Sequence, residues 1–220
     1  GGILPASLWL YYWLQEDRLH PEPRRLIFFS FLAGMASVIA VIPLEHAATR
    51  YFSGFGLIVA WAFLEEVLKY LGARFTSLKS RCMDEPIDAV IYLITAALGF
   101  AALENTLFLM SPLGQGDLFQ SFVAGNLRFL GASLLHVLAS ATIGLCIAFA
   151  FYKSKGVRRM AALAGVVLAT LLHTLFNFFI LQSNGGNLVP VFVSVWIGII
   201  ALMLILEKVK RIRPSTITRR

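Results

Sequence analysis

The chain has 220 residues, 58% of them hydrophobic and only 14% charged, with a mean hydropathy of +0.77. An ordinary soluble domain, which carries about 25% charge, is excluded. The net charge of +7 does not point to nucleic acid, because the basic residues flank apolar blocks of about twenty residues, as topology signals do.

In chain order the apolar blocks predict seven helices, about 3–14, 25–44, 54–73, 87–110, 128–152, 160–181 and 188–208. The expected fold is therefore all-α: a polytopic membrane protein of about seven transmembrane helices, in one domain over 1–220 with a basic tail from about 209. The opening Gly1-Gly2 has no Met and reads as a trimmed start. The run Ile3–Leu14 is short for a span, at about 18 Å if helical. Pro21 and Pro23 mark the first loop, Pro86 opens the fourth helix, and Asn184–Asn187 is a turn before the last. Cys82 and Cys146 fall in a loop and a helix, so neither a disulfide nor a CxxC metal site is expected.

Lysine and arginine alternate between the two sides. Arg18, Arg24 and Arg25, then Arg74, Lys79 and Arg81, then Lys153, Lys155, Arg158 and Arg159, and finally the tail lie on one side; the other loops hold only Arg50 and Arg128. By the positive-inside rule the N-terminus is outside and the C-terminus cytoplasmic, in a prokaryotic plasma membrane.

Ionisable residues inside the apolar blocks are the second signal. Glu65, Glu66 and Lys69 lie on the third helix, Glu104 and Asn105 on the fourth, His136 and Ser140 on the fifth, and His173 and Asn177 on the sixth. A carboxylate at the centre of a membrane helix costs roughly 2.5–3.5 kcal/mol on insertion scales, so two adjacent ones call for a polar cavity. Pairs four apart (Glu65 with Lys69, His136 with Ser140, His173 with Asn177) share a helix face. Such a set suits water activation, with a glutamate as general base and histidines orienting the water or stabilising the oxyanion. It equally suits Zn²⁺ held by Glu65, Glu66, His136 and His173 with an open position for water. The cofactor is thus either none or Zn²⁺. HExxH and GxSxG are both absent. A proton- or solute-coupled transporter, a non-catalytic scaffold and a bis-histidine haem protein are the rival classes. Glu45, His46 and Arg50 read as loop polarity.

The motifs EEVLK (65–69), GFAALEN (99–105), His136 in its helix, HTLFN (173–177) and the early DRLHPEPRR (17–25) together resemble the PrsW-type intramembrane proteases. These are placed within the superfamily of type II CAAX prenyl endopeptidases and abortive-infection proteins. The resemblance covers residues from about 11 to 180. It implies an active site buried in a helix bundle and cleavage of a membrane-anchored protein, such as an anti-sigma factor cut on its extracytoplasmic side. It also implies Glu65 as general base, Glu66 as its orienting neighbour and Lys69 as counter-ion. Glu104 or His136 would hold the water, and His173 with Asn177 would bind the oxyanion. The CAAX branch carries histidine where this chain has Glu104. The loop 111–127, long and nearly uncharged, is expected to gate substrate or to pack on it.

Overall fold

The computed structural model describes residues 2–114, 131–183 and 188–213. Within them the protein is all-helical: α1 (Ile3–Leu14), α2 (Arg24–Ala48), α3 (Gly54–Thr76), α4 (Pro86–Gly114), α5 (Ser133–Phe149), α6 (Lys155–Gln182) and α7 (Val189–Val209), with a single 3₁₀ turn at Gln15–Asp17. Most of the expected gating loop, the Asn184–Asn187 turn and the tail beyond 213 lie outside the described residues.

Four of these helices, α2, α4, α6 and α7, are long and apolar enough to cross a membrane. That is fewer than the seven spans expected. Helix α1 has 12 residues, α5 has 17, and α3 carries Glu65, Glu66, Lys69 and Arg74 within its length. The protein is a membrane protein with several apolar helices, against which the charged α3 buries the face that carries Ala62, Glu65, Glu66, Lys69 and Ala73.

Helix α4 is the centre of the bundle. It is apolar on every side, and from Ile87 to Ala102 nearly every residue is buried, as expected of a helix with no polar face. Helices α1, α2 and α5 pack directly on it, α6 packs on α5, and α3 fits between α2 and α6. Small residues allow the closest approaches. A Cβ at Gly34 would lie 1.9 Å from the Ala96 carbonyl oxygen, and one at Gly99 would lie 2.0 Å from that of Phe31, so α2 and α4 meet backbone to backbone. Gly144 meets α4 at Val90 in the same way.

Two helix ends differ from the expected ones for identifiable reasons. Helix α2 runs through Pro43 to Ala48, one turn beyond the expected end, which places Glu45 on a helix and not in a loop. Helix α6 starts at Lys155, because the Ser154 side chain accepts from the Val157 N–H and caps it; the basic residues 155–159 form its first turn. Both cysteines are free.

Candidate active site

Four helices bring their ionisable residues to one buried point. Glu65, Glu66 and Lys69 come from consecutive turns of α3, Glu104 from α4, His136 and Ser140 from one face of α5, and His173 from α6. All are buried except Glu104, which is partly exposed.

Glu66 is the hub. Its Oε1 accepts from Lys69 Nζ at 2.5 Å and from His173 Nδ1 at 2.8 Å, and its Oε2 accepts from the Ser140 hydroxyl at 3.2 Å. The three partners arrive from α3, α6 and α5, so a single carboxylate ties three helices together. Lys69 Nζ also lies 3.0 Å from His136 Nδ1 and 4.6 Å from the centre of the Phe100 ring. An ammonium can only donate, so His136 Nδ1 accepts and the ring proton sits on Nε2, which donates to Glu104 Oε2 at 3.1 Å. His173 donates from Nδ1 to Glu66, which leaves its Nε2 lone pair facing Glu65. The two imidazoles stand edge to face, with ring centres 5.1 Å apart.

Glu65 differs from all of these. Its Oε2 is buried and has no hydrogen-bond partner among the described residues. Around it lie His173 Nε2 at 3.8 Å, Lys69 Nζ at 3.9 Å and His136 Nδ1 at 4.0 Å. An orphaned buried acceptor is costly, by about 1–3 kcal/mol, and marks a place where a further group belongs.

The donor set has the geometry of a metal site. Glu65, His136 and His173 each offer one ligand atom, and the three atoms lie within 4.8 Å of one another. One carboxylate and two imidazoles suit a zinc-type ion that keeps an open position. The outer nitrogen of each histidine is held by a carboxylate, Glu66 for His173 and Glu104 for His136, the arrangement that orients imidazole ligands. Lys69 competes for His136 Nδ1, and in a metal-loaded site it would keep Glu66 alone. The residues fit the group.

Two of the residues singled out in the sequence are not drawn into the cluster. Asn105 donates to Ser133 Oγ at 2.9 Å, joining α4 to α5. Asn177, half-buried one turn beyond His173, makes no hydrogen bond to the cluster among the described residues. Glu45, read from sequence as loop polarity, instead lines a cavity of about 330 Å³ between α2 and α4, together with Val38, Val41, Phe100, Glu104 and Phe108. Its position one turn after Val41 would have revealed it, had the helix been carried through Pro43.

Residues 22–205 match the family described as PrsW family intramembrane metalloprotease. Among curated proteins the chain is similar to Protease PrsW of Oceanobacillus iheyensis, 25% identical over 99% of this chain and 96% of that protein. It is also similar to Protease PrsW of Bacillus subtilis, 26% identical over 89% of each, and of Clostridioides difficile, 26% identical over 82% and 77%. No solved structure matches. A family match over most of the chain, on a fold that assembles the expected carboxylates and histidines, shows that this chain is an intramembrane protease and belongs to the PrsW family of intramembrane metalloproteases.

Proposed function

We propose that the chain hydrolyses a peptide bond of a membrane-anchored protein, and that the reacting water sits at Glu65 Oε2. The observation that carries this reading is the unpartnered, buried Oε2 of Glu65, ringed by His173, His136 and Lys69 in a cluster where every other carboxylate is engaged. Glu65 takes the water's proton as general base. Glu66 holds Nδ1 of His173 so that its Nε2 points at the reaction centre, and Glu104 holds Nε2 of His136 so that its Nδ1 faces the same centre. Lys69 balances the carboxylates, and Ser140 fixes the second oxygen of Glu66. A zinc-type ion, when held by Glu65, His136 and His173, supplies Lewis-acid polarisation of the scissile carbonyl and activation of water.

The substrate reaches the centre through the cavity between α2 and α4, whose apolar walls end at Glu104. The alternating basic loops support a topology with the N-terminus outside and the C-terminus cytoplasmic in a prokaryotic plasma membrane. A single-span regulator such as an anti-sigma factor, cut on its extracytoplasmic side, is the class of substrate we infer.

The test is cleavage of a panel of single-span proteins in proteoliposomes by wild type, Glu65→Gln and His173→Ala, with and without chelator. Loss of a general base lowers the rate by about 10²–10⁴. Inhibition by chelator, restored by Zn²⁺, assigns Glu65, His136 and His173 as ligands; chelator-insensitive activity assigns a metal-free glutamate base. Full activity of Glu65→Gln would sink the reading.

A further inference from the structure

A second group of carboxylates lies at the other end of α4. Asp88 is sixteen residues from Glu104 on that helix, about 24 Å along its axis, so the two groups are separate. Asp17 from the 3₁₀ turn after α1, Glu22 from the first loop and Asp88 from the first turn of α4 each offer an oxygen, and the three oxygens lie within 4.8 Å of one another. Asp17 is 5% exposed and Asp88 1%, which is rare for acids without a counter-charge. Arg18 and Arg24 line the neighbouring cavity of about 540 Å³, yet no described lysine or arginine forms an ion pair with any of the three.

Two of the three carboxylates are held in place. Asp88 Oδ2 accepts from the backbone N–H of Asp84 at 2.8 Å and of Glu85 at 2.7 Å, and Glu22 accepts from the Tyr92 hydroxyl. The third supplies the independent sign of a ligand. Asp17 Oδ2 is buried and has no hydrogen-bond partner among the described residues.

We propose that Asp17, Glu22 and Asp88 form a cation site distinct from the catalytic cluster, which binds a hard divalent ion of the Mg²⁺ or Ca²⁺ class. An all-carboxylate donor set selects hard ions over zinc, and three protein oxygens leave room for the waters that Mg²⁺ retains. No described ion pair offsets the three clustered carboxylates, and a bound cation would relieve their mutual repulsion. The site joins the α1–α2 loop to the start of the central helix, so its occupation staples the periphery to the core.

The test uses the full-length protein in detergent at pH 8. Tb³⁺ is the probe, sensitised through Trp13, four residues before Asp17, and through Tyr92. Wild type and Glu65→Gln should both give a saturable signal that Ca²⁺ or Mg²⁺ displaces, and Asp17→Asn and Glu22→Gln should each weaken it at least about tenfold. The thermal midpoint of wild type should rise with added Ca²⁺ or Mg²⁺, and that of both variants should not. A signal kept in Asp17→Asn and Glu22→Gln, or lost only in Glu65→Gln, would overturn the proposal. If either variant fails to fold, the wild-type measurements decide alone: no displaceable signal and no cation-dependent midpoint means that the three carboxylates only share protons.

Discussion

Replacing Glu66 with Gln removes the charge on which the buried cluster is built. Lys69 Nζ, fully buried, loses the counter-charge 2.5 Å away and keeps only a neutral amide oxygen there, with Glu65 Oε2 at 3.9 Å and the neutral His136. Breaking a buried pair from one side costs about 3–5 kcal/mol, whereas replacing both partners by uncharged groups is often neutral. Glu66→Gln and Lys69→Met should therefore each lower the melting temperature by about 6–20 °C, at roughly 2–4 °C per kcal/mol for a chain of this size. The double variant should recover most of that loss, and two singles of about 3–5 kcal/mol each with a nearly neutral double correspond to a coupling energy of about 5–10 kcal/mol. Thermal unfolding of the four proteins in one detergent, at one pH, closes the cycle. Single variants that cost under about 1 kcal/mol, or a double variant whose loss equals their sum, would refute the buried Lys69–Glu66 pair.

Glu65→Gln should leave stability within about 1 kcal/mol of wild type while abolishing cleavage, because Oε2 makes no bond to lose; a large drop in melting temperature would show that Oε2 is engaged. Glu104→Gln keeps an acceptor for His136 Nε2 and should retain more activity than Glu104→Ala, which should lose about 10–100-fold; equal rates would dismiss its hold on the imidazole. Gly99→Leu drives its Cβ into the Phe31 carbonyl and should destabilise by about 1–3 kcal/mol or more, read as a lower melting temperature. Leu107→Trp, at the lip of the α2–α4 cavity, should raise KM more than it lowers kcat; unchanged kinetics would place substrate entry elsewhere.

Much of the bundle is legible in the sequence because a membrane enforces long apolar runs, and most of the cluster is legible because Glu65, Glu66, Lys69, Glu104, His136 and His173 are costly anywhere but a polar pocket. The pairing is not. Spacing puts His173 and Asn177 on one face, yet the rotation of α6 against α3 gives His173 to Glu66 and leaves Asn177 half-buried beyond. Glu66 as hub, and not merely neighbour to Glu65, depends on two interhelical approaches, of His173 and of Ser140, that no local pattern encodes. The Asp17–Glu22–Asp88 group was invisible for the opposite reason. Charges in or beside loops are unremarked, and only the fold brings position 17 to position 88.

The close approach of α2 and α4 at Gly34 and Gly99 also governs how the bundle can move. Where those glycines stand, α2 and α4 touch through their main chains, with no side-chain layer able to yield. Farther along the same two helices Val38, Val41 and Phe100 still pack together, and beyond them Ile42, Glu45, Leu107 and Phe108 flank the cavity that ends at Glu104. The pair is thus shaped like forceps: fixed at the glycine pivot and free to spread only at the tips. A polypeptide wedged between the tips would push α2 outward, and because the Ser37 hydroxyl and the Trp61 indole tie α2 to α3, that displacement would be passed to the helix that carries Glu65 and Glu66.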